Sequence, residues 1–263
     1  MTVQKQQFDG PGLGVLVEAL IPPVLAAGRV IMDIYHRNPA AQIKSDGSPV
    51  TEADQAAEAI LLPEIAALAP HIQIISEENA ASHSLAAAAS FFLVDPLDGT
   101  KEFLKADGSG AFTVNIGLVE NGVPVMGIVY APALDRLFFG YQNGGAFEVS
   151  GGVRTPIRAR IMPASNRIAV ASSSHRDELT NQWLERQAIT NIKSIGSSLK
   201  FCLIAAGEAD AYPRYAPTME WDTAAADAVL RAAGGSVTNV DGSLYTYGKP
   251  NYRNIPFLAY GAQ

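Results

Sequence analysis

The sequence is poor in metal-binding sulfur and nitrogen: one cysteine, Cys202, and four scattered histidines in 263 residues. A single thiol excludes an internal disulfide, and without a cysteine or histidine cluster a zinc site of the usual kind is excluded too. Cys202 sits in an apolar run, reads as packing, and fits a reducing compartment. No secretory leader is expected, since residues 2–7 are polar and no basic start, apolar block and small-residue cleavage site follow one another. The most apolar early stretch, 15–34, is interrupted by Glu18, Pro22, Pro23, Arg29 and Asp33, so no transmembrane segment is expected. These absences predict a soluble, cytoplasmic protein; they leave its oligomeric state and any loose contact with the inner membrane open.

Basic charge is also short. The formal net charge of -7 argues against a nucleic-acid polymer as partner, which needs clustered lysine and arginine to displace counterions. A small phosphorylated substrate is still compatible with an acidic chain if metal ions reverse the local field, which directs attention to the carboxylates.

What is present is apolar material, 48% hydrophobic against 17% charged residues, enough for a large core. The periodicity predicts helices over 24–37, with Pro22 and Pro23 at its entry, and over 52–68, with Thr51 as N-cap. Short strands are expected at 71–76 and 91–95. An antiparallel meander should follow over 112–150, turning at Asn121-Gly122 and Asn143-Gly144, both favoured two-residue hairpin turns. After a break at Gly151-Gly152 the pattern alternates: strand 167–171, helix 177–187, strand 191–195, helix 198–206, a strand near Ala211, helix 221–233, and strands at 235–240 and 256–260. The expected class is mixed α/β in two halves. Residues 1–155 form an α+β half with most of the candidate metal ligands; residues 156–263 form an α/β half with candidate substrate contacts and Asp222.

The densest chemical signal is Asp95-Pro96-Leu97-Asp98-Gly99-Thr100, directly after the apolar strand. Two carboxylates leave the strand end together, Pro96 stiffens the turn, Gly99 lets backbone approach a ligand, and Thr100 can cap the next segment. Asp, Pro and Gly also make ordinary acidic turns, so the block alone decides nothing. Glu77-Glu78 after another short strand and Asp222 near a helix start add carboxylates at element ends, where binding groups do not spoil a core. Oxygen ligands of this kind favour magnesium or manganese. Asp54, three residues after the Thr51 cap, reads on its own as a capping residue, because a helix N-terminus favours an anion whatever the function. The glycine-rich phosphate loop, the Gly-x-Ser-x-Gly elbow and the His-Glu-x-x-His pair are all absent.

Four blocks in order, Lys44-Ser45-Asp46-Gly47-Ser48-Pro49-Val50-Thr51-Glu52-Ala53-Asp54, Ile75-Ser76-Glu77-Glu78, the Asp95 block and Glu220-Trp221-Asp222, resemble the signatures of the lithium-sensitive inositol-monophosphatase-like phosphatases. The resemblance implies a layered α/β/α/β/α sandwich, shared with fructose-1,6-bisphosphatase. It implies two or three magnesium ions, with manganese as an alternative, held by Glu77, Asp95, the Leu97 carbonyl, Asp98 and Asp222. It also implies that Asp54 and Thr100 orient or deprotonate the attacking water, which moves Asp54 from cap to catalysis. Within the family, Asp98-Gly99-Thr100-Lys101-Glu102-Phe103 and Gly196-Ser197-Ser198-Leu199-Lys200-Phe201-Cys202 are similar to the bacterial 3'(2'),5'-bisphosphate nucleotidases. That branch implies a small nucleotide substrate contacted by Gly99, Thr100, His175, Ser197, Lys200 and Arg214. Ser173 stands where the branch often has arginine. Alternatives are an inositol monophosphatase or broad sugar phosphatase on the same core, or a nucleotide-binding regulator without turnover.

Overall fold

A computed structural model describes residues 12–37, 42–43, 49–105, 110–172 and 176–262. Helix α1 (Leu13–Tyr35) begins well before the expected position and runs straight through Pro22 and Pro23. Leu16, Leu20, Val24, Ala27 and Ile31 recur at helical spacing and are all buried. Burying that one continuous stripe outweighs the two missing N–H donors, so the prolines do not set the start. Among the described residues α1 is the one helix long and apolar enough to cross a membrane, and its stripe is packed into the core. A short antiparallel pair, β1 (Gln42–Ile43) and β2 (Pro49–Val50), leads to helix α2 (Glu52–Leu68), which opens at Thr51 as expected.

A seven-stranded sheet follows in chain order: β3 (Gln73–Ser76), β4 (Ser90–Asp98), β5 (Thr113–Glu120), β6 (Val123–Ala131), β7 (Arg136–Tyr141), β8 (Gly145–Ser150) and β9 (Val153–Ile157). Only the β3–β4 pair is parallel. The short helix α3 (Thr100–Lys105) lies between β4 and β5. The Asn121-Gly122 turn is as expected, with both residues at positive φ. The Asn143-Gly144 connection is one residue longer than a two-residue hairpin, because β8 starts only at Gly145. Gly151-Gly152 does not end the meander. Both glycines take positive φ, the geometry of a tight hairpin, and return the chain as β9.

The second sheet has five strands in the order β11-β10-β12-β14-β13: β10 (Ile168–Ser172), β11 (Asn191–Ile195), β12 (Ala211–Arg214), β13 (Ser236–Asn239) and β14 (Phe257–Tyr260). Its helices are α4 (Glu178–Arg186), α5 (Leu199–Ala205) and α6 (Ala224–Ala232). Side chains on β4 alternate between two cores. Phe92 and Val94 face α1 and α2, whereas Phe91 and Leu93 face the layer of α5 and α6 beneath the second sheet. Trp183 and Leu184 of α4 cover the outer face of that sheet with Ala169, Ala211 and Leu258. The layers are therefore α/β/α/β/α, the expected sandwich.

One row of glycines seats the central helix. Gly117, Gly127 and Gly140 are register partners across β5, β6 and β7. A Cβ on Gly127 would lie 1.9 Å from the Ala225 carbonyl oxygen, and one on Gly117 would lie 2.7 Å from the Ala225 nitrogen. The missing side chains form a trough into which α6 sinks, and its leading turn carries Asp222. That helix starts three residues later than expected. Asp222 stays in the turn because its Oδ2 accepts the Met219 N–H at 2.8 Å, a local bond that competes with helix formation.

Candidate active site

A cleft of about 960 Å³ opens between the ends of the two sheets and is lined from both halves of the chain. The parallel β3–β4 register sets Ser76 against Val94, and the Glu77 N–H donates to the Val94 carbonyl at 3.1 Å. Glu77 therefore stands beside Asp95. Asp222 enters from the turn ahead of α6, and the carboxylates of Glu77, Asp95 and Asp222 each bring an oxygen within 4.8 Å of the others. These three come from separate chain segments, and like charges gather so closely only when a cation or a proton compensates them.

The donor set fits a hard divalent ion. Asp95 is 1% exposed; its Oδ1 accepts the Leu97 N–H at 3.0 Å, while its Oδ2 is buried with no hydrogen-bond partner. A buried carboxylate oxygen left without a partner is costly, and a cation is the natural complement. Burial, reinforced by the charges of Glu77, Asp98 and Asp222, pushes the Asp95 carboxyl well above its ordinary range. Burial with Asp98 and Glu77 does the same to Asp222. Ligand oxygens about 2.1 Å from a magnesium ion lie roughly 3 to 4 Å from one another, which the 4.8 Å bound on these three allows.

Asp98, expected as a further ligand, lines the cleft but is not one of the three carboxylates that converge. Its Oδ2 accepts the Ser198 N–H at 2.6 Å, and Ser198 is held in turn by Asn115 and Thr113. Burial raises the Asp98 carboxyl to about 7, opposed by the charge of Lys200. The Leu97 carbonyl accepts the Thr100 hydroxyl at 3.3 Å. Gly99, at φ +92°, bends the chain so tightly that a Cβ would meet the Ala111 carbonyl oxygen at 2.9 Å.

Asp54 serves two neighbours at once. Its Oδ2 accepts both the Thr51 N–H and the Thr51 hydroxyl at 2.8 Å, closing the capping box of α2. Its Oδ1 accepts the Thr100 hydroxyl at 3.4 Å, a long contact that links the cap to the β4 exit. Burial pushes the Asp54 carboxyl up to about 6 against the lowering effect of the Thr51 hydrogen bonds. The carboxylate that caps α2 thus also touches Thr100, which lines the cleft.

Ser197, Lys200 and Arg214 all line the cleft. Ser197 takes a left-handed conformation at φ +51° just ahead of α5. Lys200 is 4% exposed, and its ammonium donates to the carbonyls of Ser197 and Ile195. Burial lowers its pKa to about 8, opposed chiefly by Asp98. His175 and the 44–48 block lie outside the described residues. His83, one of the four scattered histidines, lines the cleft. Its Nε2 bonds the Ser76 carbonyl at 2.8 Å and its ring stacks on Trp221 at 4.6 Å, bracing the Glu77 strand end against the Asp222 turn. Nothing local in the sequence marks that pairing, because its partners are far apart in the chain.

The comparisons with known proteins agree with this arrangement. The profile described as the inositol monophosphatase family matches residues 15–256. The 3'(2'),5'-bisphosphate nucleotidase CysQ of Buchnera aphidicola is 41% identical over 225 residues, covering 84% of this chain and 83% of that protein. CysQ of Salmonella typhimurium is 42% identical over 224 residues, covering 84% and 89%. The crystal structure of CysQ from Bacteroides thetaiotaomicron superposes with a TM-score of 0.77 at 36% identity, covering 95% of this chain and 98% of that one. With its sandwich, its carboxylate cluster and its sequence matching over nearly the whole length, the chain belongs to the inositol monophosphatase family.

Proposed function

We propose that this protein is a magnesium-dependent 3'(2'),5'-bisphosphate nucleotidase that hydrolyses adenosine 3',5'-bisphosphate to AMP and phosphate. The observation that carries the catalytic part is the convergence of Glu77, Asp95 and Asp222 around the buried, unpartnered Asp95 Oδ2. The nucleotide part rests on the likeness to CysQ proteins over most of the chain and on a cleft roomy enough for a nucleotide.

Glu77, Asp95, Asp222, the Leu97 carbonyl and Asp98 would hold two or three divalent ions, manganese serving in place of magnesium. Bound there, the ions supply positive charge to a phosphate and acidify water. Thr100 holds the attacking water, and Asp54, with a pKa of about 6, takes its proton near neutral pH. The new bond joins the water oxygen to phosphorus while the ester P–O bond breaks in line, and the leaving oxygen recovers a proton from solvent. Gly99 gives backbone access to the phosphate; Ser197, Lys200 and Arg214, together with His175, form the nucleotide side of the site. In this reading residues 1–155 carry most of the ion site, and residues 156–263 bring Asp222 and the substrate contacts. Lithium competes for an ion position, and the enzyme works in the cytoplasm.

Phosphate release from a panel of adenosine 3',5'-bisphosphate, inositol 1-phosphate and fructose 1,6-bisphosphate, with magnesium and with chelator, tests the reading. Magnesium-dependent turnover fastest on the bisphosphate nucleotide is expected. Faster turnover of inositol 1-phosphate moves the assignment to that substrate, and no turnover of any makes the protein a binder.

A further inference from the structure

We propose that Arg253 determines specificity in this site: its guanidinium receives the second, non-scissile phosphate of the substrate at the mouth of the cleft. The inference rests on the nucleotidase reading above and adds a residue that the family signatures do not contain.

Four cations line the cleft among the described residues: Lys101, Lys200, Arg214 and Arg253. Two of them are committed inside the protein. Lys200 donates to backbone carbonyls and lies 5.2 Å from the Tyr212 ring centroid. Arg214, 7% exposed, donates from Nε to the Ala216 carbonyl and from Nη2 to the Pro217 carbonyl, both at 2.9 Å. Their charges act on Asp98 and Asp222, so these two members of the nucleotide side stand next to the carboxylates and are partly spent on them. Lys101 adjoins Thr100. Arg253 is the cleft cation whose side chain is exposed and makes no hydrogen bond or ion pair among the described residues.

The backbone around Arg253 is built to present it. Its main chain bridges to Met219, three residues from Asp222, so it rises from the wall that carries the third carboxylate. Asn254 fixes that wall, its Nδ2 reaching the Thr218 hydroxyl, the Met219 carbonyl and the Thr223 hydroxyl at 2.7 to 3.0 Å. Asn251 and Tyr252 both take left-handed conformations, at φ +56° and +52°. A bulky aromatic residue adopts that conformation only where its surroundings over-determine it. They do: the Tyr252 ring is 2% exposed against Phe91 and Trp221, and its hydroxyl donates to the Leu85 carbonyl at 2.8 Å. With Tyr252 and Asn254 turned inward, Asn251 and Arg253 face the cleft.

A second phosphate on a nucleoside needs a cation several ångströms from the ion site, and a guanidinium with uncommitted donors binds phosphate through two parallel hydrogen bonds. Exposed arginines are also ordinary surface residues, so the test has to separate the two roles. Turnover of adenosine 3',5'-bisphosphate and of adenosine 3'-monophosphate, which lacks the second phosphate, is measured for the wild type, Arg253→Gln and Arg253→Lys. The glutamine variant should lose about tenfold in kcat/KM on the bisphosphate, through KM, and stay within about twofold on the monophosphate. The lysine variant should fall between, since it keeps charge without the fork. Equal losses on both substrates, or none on either, overturn the inference while the nucleotidase reading survives. A wild type that does not prefer the bisphosphate overturns both.

Discussion

Asp54→Asn separates the two roles that one side chain holds in this structure. As a cap, the amide is a good replacement: its oxygen can accept the Thr51 N–H that Oδ2 now accepts at 2.8 Å. Its NH2 faces the Thr100 hydroxyl, which can then accept and donate onward to the Leu97 carbonyl at 3.3 Å. Every buried polar atom keeps a partner, so no unsatisfied group is created. The substitution also removes a buried charge. Burial holds the Asp54 carboxyl at about 6 against an ordinary 3.8, a penalty on the ionised form of roughly 3 kcal/mol. The folded state therefore binds more protons than the unfolded chain between those values. Its stability falls as pH rises through that window and stays reduced above it. In chelator at pH 8 the variant should match the wild type or exceed it by up to about 2 kcal/mol, the lost charged cap offsetting part of the gain. Catalysis should respond in the opposite sense. An amide cannot take a proton from water, and losing a general base lowers kcat by about a hundredfold to ten-thousandfold. Urea denaturation in chelator and phosphate release in magnesium give the two readouts. A kcat within about threefold of wild type would show that Asp54 only caps α2.

Asp95→Asn keeps the acceptor for the Leu97 N–H but removes the charge at the buried oxygen, so the variant should fold, show no rise in Tm with magnesium, and lose more than about a hundredfold in kcat. For the wild type in chelator, Asp98 keeps its proton up to about pH 7 in the folded state and releases it near 3.8 when unfolded. The folded form binds the extra protons, so Tm in chelator should fall from pH 5 to pH 8, and the increase on adding magnesium should be larger at pH 8. Scanning calorimetry at the two pH values reads this, and an increase independent of pH would count against the carboxylate cluster as the ion site. Gly127→Ala places a methyl group against the Ala225 carbonyl and should cost about 3 kcal/mol or more in urea denaturation, with weaker manganese binding by calorimetric titration as α6 is displaced. A loss below about 1 kcal/mol would mean that α6 is not seated by the glycine row.

The features legible in the sequence are those whose cause is local. Thr51 and Asp54 lie within one helical turn, so the cap could be read directly and the start of α2 with it. The Asp95 to Thr100 block and the Asn121-Gly122 turn carry their geometry in adjacent residues. Misreadings arose where distant contacts decide. Pro22 and Pro23 looked like a helix entry because the burial of Leu16 and Leu20 against other layers is invisible locally. Gly151-Gly152 looked like a break, since nothing nearby says that β8 has an open edge for β9 to cover. The carboxylates were all identifiable as candidates, yet which of them meet depends on the β3–β4 register and on how deeply α6 sinks into the glycine row. Arg253 and His83 carry no motif at all; each acquires its position from residues remote in the chain.

The third carboxylate has a further meaning for biosynthesis. Glu77 and Asp95 leave the ribosome long before Asp222, and the helix behind Asp222 can dock only after the strands bearing Gly117, Gly127 and Gly140 have paired. A nascent or prematurely terminated chain thus owns two of the three charges but no seat for a firmly held ion. A divalent ion bound there as proposed would be captured late in synthesis, and would stabilise finished molecules while giving no such help to fragments ending before residue 222.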